Sequence, residues 1–159
     1  MDKSAELIKT LKDAFPGLSN DTAFRITSPL DRQYNCIAWA FDLSKNRWMQ
    51  FDTRPRFDGV HYWWPDGVTV GPSVFAYIEA FKTNGYELCD NCSMEVGYVK
   101  IALYVEKSTQ NCLHAARQKI DGTWMSKLGP NHDIVHSTPY SLVGNAYGDV
   151  HCFMKKPRL

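Results

Sequence analysis

Apolar positions recur at helical spacing near the start of the chain, and strand-forming runs dominate its second half. In residues 4–15 the apolar side chains stand three or four positions apart, which predicts an amphipathic helix that Pro16-Gly17 ends. Pro72-Ser73 predicts the start of another helix, which Gly85 ends. Residues 47–72 carry many aromatic side chains without a regular period, which is typical of a binding loop or of a segment that covers one edge of the core.

The second half of the chain is rich in β-branched and apolar residues separated by turn residues, a pattern that predicts a sheet. The predicted strands span residues 96–106, 112–120, 123–128 and 147–154, and a capped turn or short helix is predicted over residues 137–143. Asp121-Gly122 predicts a two-residue hairpin turn between the second and third of these strands. Because helices come first and strands second, we expect one α+β domain over residues 1–159, with N-terminal helices packed on one side of a C-terminal antiparallel sheet.

Charge and hydropathy narrow the choice of partner. The formal net charge of the 159 residues is +1, whereas proteins that bind nucleic acid usually carry a basic stripe. The basic run Lys155-Lys156-Pro157-Arg158 is more typical of a solvated chain end than of a binding element. No apolar run has the length that spans a bilayer. We therefore expect neither a nucleic acid nor a membrane as the partner.

Cysteine usage favours a reducing compartment. The five cysteines are an odd number, and the segment that begins Met1-Asp2-Lys3-Ser4 leads into an amphipathic pattern rather than the apolar core of a secretory signal. This predicts a cytoplasmic protein with reduced thiols. The pair in Cys89-Asp90-Asn91-Cys92 is a weak zinc signal, because no second pair accompanies it. We expect no metal and no cofactor.

Cys36 stands at the entrance of a short apolar helix in Tyr34-Asn35-Cys36-Ile37-Ala38-Trp39-Ala40-Phe41. The preceding Ser28-Pro29-Leu30-Asp31 disfavours helix, so the helix begins at or just before Cys36. The free N–H groups of a helix start favour the thiolate and can hold an oxyanion, so Cys36 is a candidate nucleophile. His114 is the candidate base. The alternative is that Cys36 is a small buried apolar side chain and His114 an ordinary strand residue.

A cysteine at a helix start followed by a strand that carries histidine resembles the papain-like cysteine hydrolases, in particular the small bacterial NlpC/P60-type members. The resemblance implies that the Cys36 thiolate attacks a peptide or amide carbonyl and that His114 protonates the leaving group. These enzymes often carry an oxyanion-hole glutamine several residues before the nucleophile, and the chain departs from this pattern because Gln33 is only three residues before Cys36. The chain also resembles an uncharacterised bacterial family in four segments, namely residues 35–40, 100–104, 114–117 and 124–129.

Three residues are candidates for the side chain that orients His114. The two-residue turn would place His114 opposite Gly129 and point Ser126 to the other face of the sheet, unless a bulge shifts the register. Asp133, just beyond the Gly129-Pro130 break, could fold back to hold the second ring nitrogen of His114, so it is the preferred third catalytic residue. His136 and Ser126 are the alternatives.

Four residues are candidates for substrate binding around Cys36: Gln33, Trp39, Trp63 and Trp64. The first interpretation of the chain is therefore a cysteine hydrolase that cleaves a peptide or amide bond. The alternative is a non-catalytic, immunity-type module on the same fold, whose aromatic loop recognises a partner protein. Both interpretations expect a peptide or a protein as the binding partner.

Overall fold

The computed structural model describes residues 3–27, 36–40, 48–49, 62–128 and 132–158. Its helices are α1 (Lys3–Ala14), α2 (Cys36–Ala40) and α3 (Val74–Lys82), with 3-10 helices at Pro16–Asn20 and Pro139–Leu142. Its strands are β1 (Arg25–Ile26), β2 (Trp48–Met49), β3 (Tyr62–Trp63), β4 (Glu87–Cys89), β5 (Tyr98–Val105), β6 (Cys112–Gln118), β7 (Trp124–Lys127), β8 (Asp133–His136) and β9 (Asp149–Pro157). The predicted α+β class is confirmed.

Seven strands form one antiparallel sheet in the order β1-β8-β7-β6-β5-β9-β4. The strands β2 and β3 form a separate parallel pair. Strand β5 runs through the middle of the large sheet, and all but the first of its residues are buried. The α3 helix starts where Pro72-Ser73 predicts, because the Ser73 hydroxyl accepts a hydrogen bond from the Phe75 N–H at 3.2 Å.

Helices cover both faces of this sheet, which corrects the expectation that they share one side. On the α3 face, the buried residues include Ile37 of α2, Tyr77 and Phe81 of α3, and Leu103 of β5. On the opposite face, which we call the α1 face, the buried residues are Phe15, Leu18, Ala102, Tyr104, Ala116, Trp124, Leu128, Ile134 and Leu142. The cause is that β5 carries apolar side chains on both faces, Ile101 and Leu103 on one and Ala102 and Tyr104 on the other, so both faces need a cover.

The β6–β7 hairpin has a longer turn than the sequence predicts. The Lys119 N–H donates to the Thr123 carbonyl at 2.7 Å, which leaves residues 120–122 as a three-residue loop with Gly122 at a φ of +90°. Arg117 consequently lies opposite Met125. The one-residue shift reverses the predicted facing of β7, because successive side chains point to opposite faces of a sheet.

The basic run near residue 155 is part of the sheet rather than a solvated end. Strand β9 extends through Pro157 and pairs with both β5 and β4. The Lys155 ammonium donates to the Glu95 carboxylate at 3.0 Å, and the Arg158 N–H donates to the Gly97 carbonyl at 2.7 Å. Backbone pairing with β5 holds these residues in place, which composition alone does not indicate. Among the described residues, no helix combines the length and the apolar character that a membrane crossing requires.

Candidate functional site

Cys36 is the first residue of α2, as the sequence predicts, but its side chain is only 1% exposed. It belongs to the buried cluster of the α3 face together with Cys112 and Ala115 of β6. Burial raises the pKa of the Cys112 thiol far above its usual value, and the neighbouring Cys36 thiol raises it further. The sulfur at the start of α2 therefore lies in an apolar interior next to another thiol.

His114 packs into the other cluster. Its ring stacks on the Tyr147 ring with the centroids 4.0 Å apart and the planes 1° from parallel, and it lies 5.2 Å from the Tyr104 ring of the α1 face. The side chain is fully buried, and both ring nitrogens are without a hydrogen-bond partner among the described residues. Burial, and next the neighbouring His136, lower the pKa of His114 well below its usual range. The imidazole is therefore neutral at neutral pH.

Asp133 begins β8, which β7 separates from the strand of His114. It lies opposite Lys127 in the β7–β8 pair, and its Oδ1 is 4.0 Å from the Lys127 Nζ. Both side chains are buried. The carboxylate thus faces a lysine. The structure does not assemble Cys36, His114 and Asp133 into a triad, and their catalytic roles stay predictions.

Ser126 and His136, the alternative orienters, contact each other. The Ser126 Oγ lies 2.8 Å from the His136 Nε2, and the His136 Nδ1 lies 2.8 Å from the Thr138 carbonyl oxygen. The pairing of β7 with β8 explains the contact, because Ser126 lies opposite Ile134 and His136 points to the same face two residues further along β8. Burial lowers the pKa of His136 to about 4, although the Thr138 hydrogen bond and then Asp21 favour the charged form.

The candidate substrate-binding residues are only partly described. Trp64 is half-buried, and its indole N–H donates to the Val68 carbonyl at 3.0 Å while its ring meets the Tyr77 ring edge-on at 5.1 Å. These contacts give Trp64 a packing role against α3. Trp39 lies in α2 and Trp63 in β3, but their side chains are outside the described residues, as is Gln33.

Cys89 and Cys92 are half-buried free thiols. The Cys89 thiol donates to the Asn91 carbonyl at 3.6 Å, and burial raises its pKa above the usual value. Within the described ranges, no three histidine, cysteine, aspartate or glutamate side chains converge on one point.

A groove on the α3 face, which the sequence does not reveal, has a volume of about 810 Å³. It lies beyond the C-terminal end of α3, and its lining residues are Asn84, Gly85, Val99, Arg117, Gln118, Lys119, Ile120, Met125, Lys156, Pro157 and Arg158. Four of them are basic and none is acidic. The shifted hairpin register and the extended β9 bring these cations together from separate parts of the chain. We call this feature the basic groove.

Comparison with known proteins gives a family but no activity. A family model described as a domain of unknown function, DUF7689, matches residues 25–155, which include β1, the described helices α2 and α3, and most of the sheet. No curated protein and no solved structure matches the chain.

Proposed function

The chain belongs to the DUF7689 family, and from its own geometry we propose that it is a non-catalytic protein-binding module that holds an acidic segment of a partner protein in the basic groove. The observation that carries this proposal is the charge of the groove, whose described lining residues include four basic side chains and no acidic one. A concave, positively charged site attracts carboxylates and raises their local concentration.

The cations stand around an apolar floor. Val99, Met125 and Pro157 line the groove, and Ile120 at its rim is 75% exposed. The Lys156 ammonium lies 4.9 Å from the centre of the Tyr86 ring, which supports its stem against the sheet. An occupant with alternating acidic and apolar side chains would satisfy both the rim and the floor.

Size and net charge favour a protein segment over a nucleic acid. A volume of about 810 Å³ accommodates a few residues of an extended chain. The net charge is +1, whereas binding to a phosphate backbone usually needs a broad basic surface. The acidic segment of a partner protein is therefore the occupant to which the proposal commits.

A cysteine hydrolase of papain-like architecture is the second candidate. What favours it is that α2 begins at Cys36 and packs on β6, the strand that carries His114. What disfavours it is the burial of both side chains in clusters on different faces of the sheet. Hydrolysis would need a rearrangement that exposes the thiol and brings the imidazole to it.

The experiment measures the anisotropy of a fluorescein-labelled eight-residue peptide of alternating Glu and Leu as the protein is titrated. Lys119→Glu reverses a charge in the groove, and Lys9→Glu is its matched control. Each lysine has an acidic neighbour on its own segment, with Nζ–O distances of 3.9 Å to Asp121 and 3.7 Å to Asp13, respectively. We expect Lys119→Glu to weaken binding at least fivefold and Lys9→Glu to leave it within twofold.

Three results would overturn the proposal. They are absence of peptide binding at millimolar protein, an equal loss of affinity in both variants, and binding of single-stranded DNA that is as tight as that of the acidic peptide. Added salt should weaken a genuine complex, because the rim charges are exposed to solvent.

A further inference from the structure

Tyr147 lies in a tight turn that two glycines close. The Gly144 N–H donates to the Gly148 carbonyl at 3.0 Å, and the Gly148 N–H donates to the Gly144 carbonyl at 2.8 Å. Gly144 has a φ of +150° and Gly148 of +70°, which glycine adopts readily. Asn145 and Ala146 of this turn are exposed. We call residues 144–148 the Tyr147 turn.

The ring of this turn covers His114 over its whole face. The centroids of the two rings are 4.0 Å apart and their planes are 1° from parallel, and the centroid of the Phe15 ring lies 5.1 Å from that of Tyr147. His114 is fully buried, yet neither of its ring nitrogens has a hydrogen-bond partner among the described residues. A buried polar side chain without partners is costly and rare in native proteins.

A second groove is lined by residues of this turn. Its volume is about 610 Å³, and it is lined on one side by Glu106, Lys107 and Leu113 and on the other by Gly144, Asn145 and Gly148. Leu113 precedes His114 on β6, and Gly148 follows Tyr147. An outward swing of the turn would therefore connect this groove with the imidazole.

We infer that the Tyr147 turn is a flap that controls access to His114, and that the structure shows its closed state. In the closed state the imidazole is stacked and cannot exchange protons with solvent or with a ligand. In the open state its two nitrogens can bind a polar group that enters from the groove. The inference does not depend on what occupies the basic groove, which lies on the α3 face.

Burial, and next the Cys36 thiol, raise the pKa of Tyr147, so Cys36 is an electrostatic neighbour of the phenol. The ring that stacks on His114 therefore also lies near the thiol at the start of α2.

The experiment measures the rate at which diethyl pyrocarbonate modifies each histidine at pH 6.5, with mass spectrometry to identify the site. In the wild-type protein we expect His114 to react at least tenfold more slowly than the half-buried His132 and His151. Tyr147→Ala removes the cover and should raise the rate at His114 at least tenfold. Tyr147→Phe keeps a stacking ring and should leave the rate within twofold of the wild-type rate.

A second variant covers the case in which Tyr147→Ala does not fold. An alanine Cβ at Gly148 would collide with the Val105 carbonyl, so Gly148→Ala should displace the turn while the tyrosine ring is kept. It should also raise the rate at His114. Gly67→Ala is the control, since Gly67 also has a positive φ but has no neighbour within 4 Å of the added carbon. The inference is overturned if His114 reacts quickly in the wild type, or slowly in every folded flap variant.

Discussion

The Ser126 hydroxyl lies 2.8 Å from the Nε2 of His136, and both side chains are fully buried between β7 and β8. The Nδ1 of the same ring lies 2.8 Å from the Thr138 carbonyl oxygen, which can only accept a hydrogen bond. The neutral ring therefore carries its proton on Nδ1, and Nε2 accepts the Ser126 hydroxyl proton. This network fixes the ring in the α1 face of the sheet.

Loss of the serine hydroxyl should destabilise the fold. Ser126→Ala leaves Nε2 buried without a donor, and we expect the free energy of unfolding to fall by about 1–2 kcal/mol. Urea denaturation followed by circular dichroism measures the change. The control is Ser108→Ala, because the Ser108 hydroxyl donates to Glu106 at 2.8 Å on the exposed surface. Equal effects of the two substitutions would contradict the role given to the buried network.

Stability should decrease as the pH falls below about 6.5, the unperturbed pKa of histidine. The pKa of His136 is lowered to about 4, and that of His114 is also lowered, so in the folded protein both rings stay neutral while the unfolded chain takes up protons. Each histidine should reduce the free energy of unfolding by up to about 1.4 kcal/mol per pH unit between pH 6.5 and its folded pKa. Above about pH 6.5 both rings are neutral in the folded and in the unfolded chain, so the two histidines no longer lower the stability.

Denaturation series at pH 7.5, 6.0 and 5.0 test this pH dependence. His136→Gln should flatten the curve, because it removes one of the two buried rings with a lowered pKa. The carboxylates of Asp21 and Asp121 have lowered pKa values, so most of their own destabilising effect develops below about pH 5, the lower end of this series. A constant stability between pH 7.5 and 5.0 would contradict the prediction.

The contact between Lys127 and Asp133 gives an asymmetric prediction. Lys127→Met removes the cation that faces a buried carboxylate, and we expect a loss of about 3 kcal/mol in the free energy of unfolding. The double variant Lys127→Met with Asp133→Leu should be less destabilised than the single variant, since no uncompensated charge is left inside. Thermal unfolding of the single and the double variant measures which of the two is less stable. A double variant at least as unstable as Lys127→Met would refute this account.

Thiol labelling should show the opposite order to the one that a reactive Cys36 requires. The half-buried Cys89 and Cys92 should react first with iodoacetamide at pH 7.5, and the buried Cys36 and Cys112 only on unfolding. Burial also raises the pKa of Cys152 to about 12, so this half-buried thiol should react slowly as well. Peptide mapping by mass spectrometry identifies each site. Fastest labelling at Cys36 would favour the hydrolase candidate.

The positions of α2, α3 and β5 could be predicted from short stretches of sequence. Pro72-Ser73 and Gly85 bracket α3, and the run of β-branched residues near Val99 predicts β5. The start of α2 at Cys36 also agrees with the prediction. Each of these features depends on neighbours along the chain, which a sequence displays directly.

The relation of Cys36 to His114 could not be predicted in this way. Tyr104 lies opposite His114, but Val105 lies opposite Cys112, so β6 has a bulge between Cys112 and His114. Because of this bulge, Cys112 and His114 point to opposite faces of the sheet. Cys112 consequently joins Cys36 on the α3 face, whereas His114 packs against Tyr104 on the α1 face. A one-residue irregularity of this kind leaves no mark in the hydrophobic pattern.

The prediction of Asp133 as the orienter failed to anticipate Lys127, because a lysine in a strand is expected at the surface. Lys127 is buried because α2 packs against β7, and this packing depends on the whole fold rather than on neighbours along the chain. The basic groove was hidden for the same reason. Arg117, Lys119 and Lys156 come together only through the pairing of strands far apart along the chain.

The position of β9 between β5 and β4 has a consequence for synthesis on the ribosome. In the described sheet β4 pairs only with β9, although more than fifty residues separate the two strands. A nascent chain that has already produced β4 and β5 still lacks the strand that joins them. This half of the sheet therefore forms only after residues 149–157 have left the exit tunnel. Until then one edge of β5 has unpaired backbone groups that can pair with another chain.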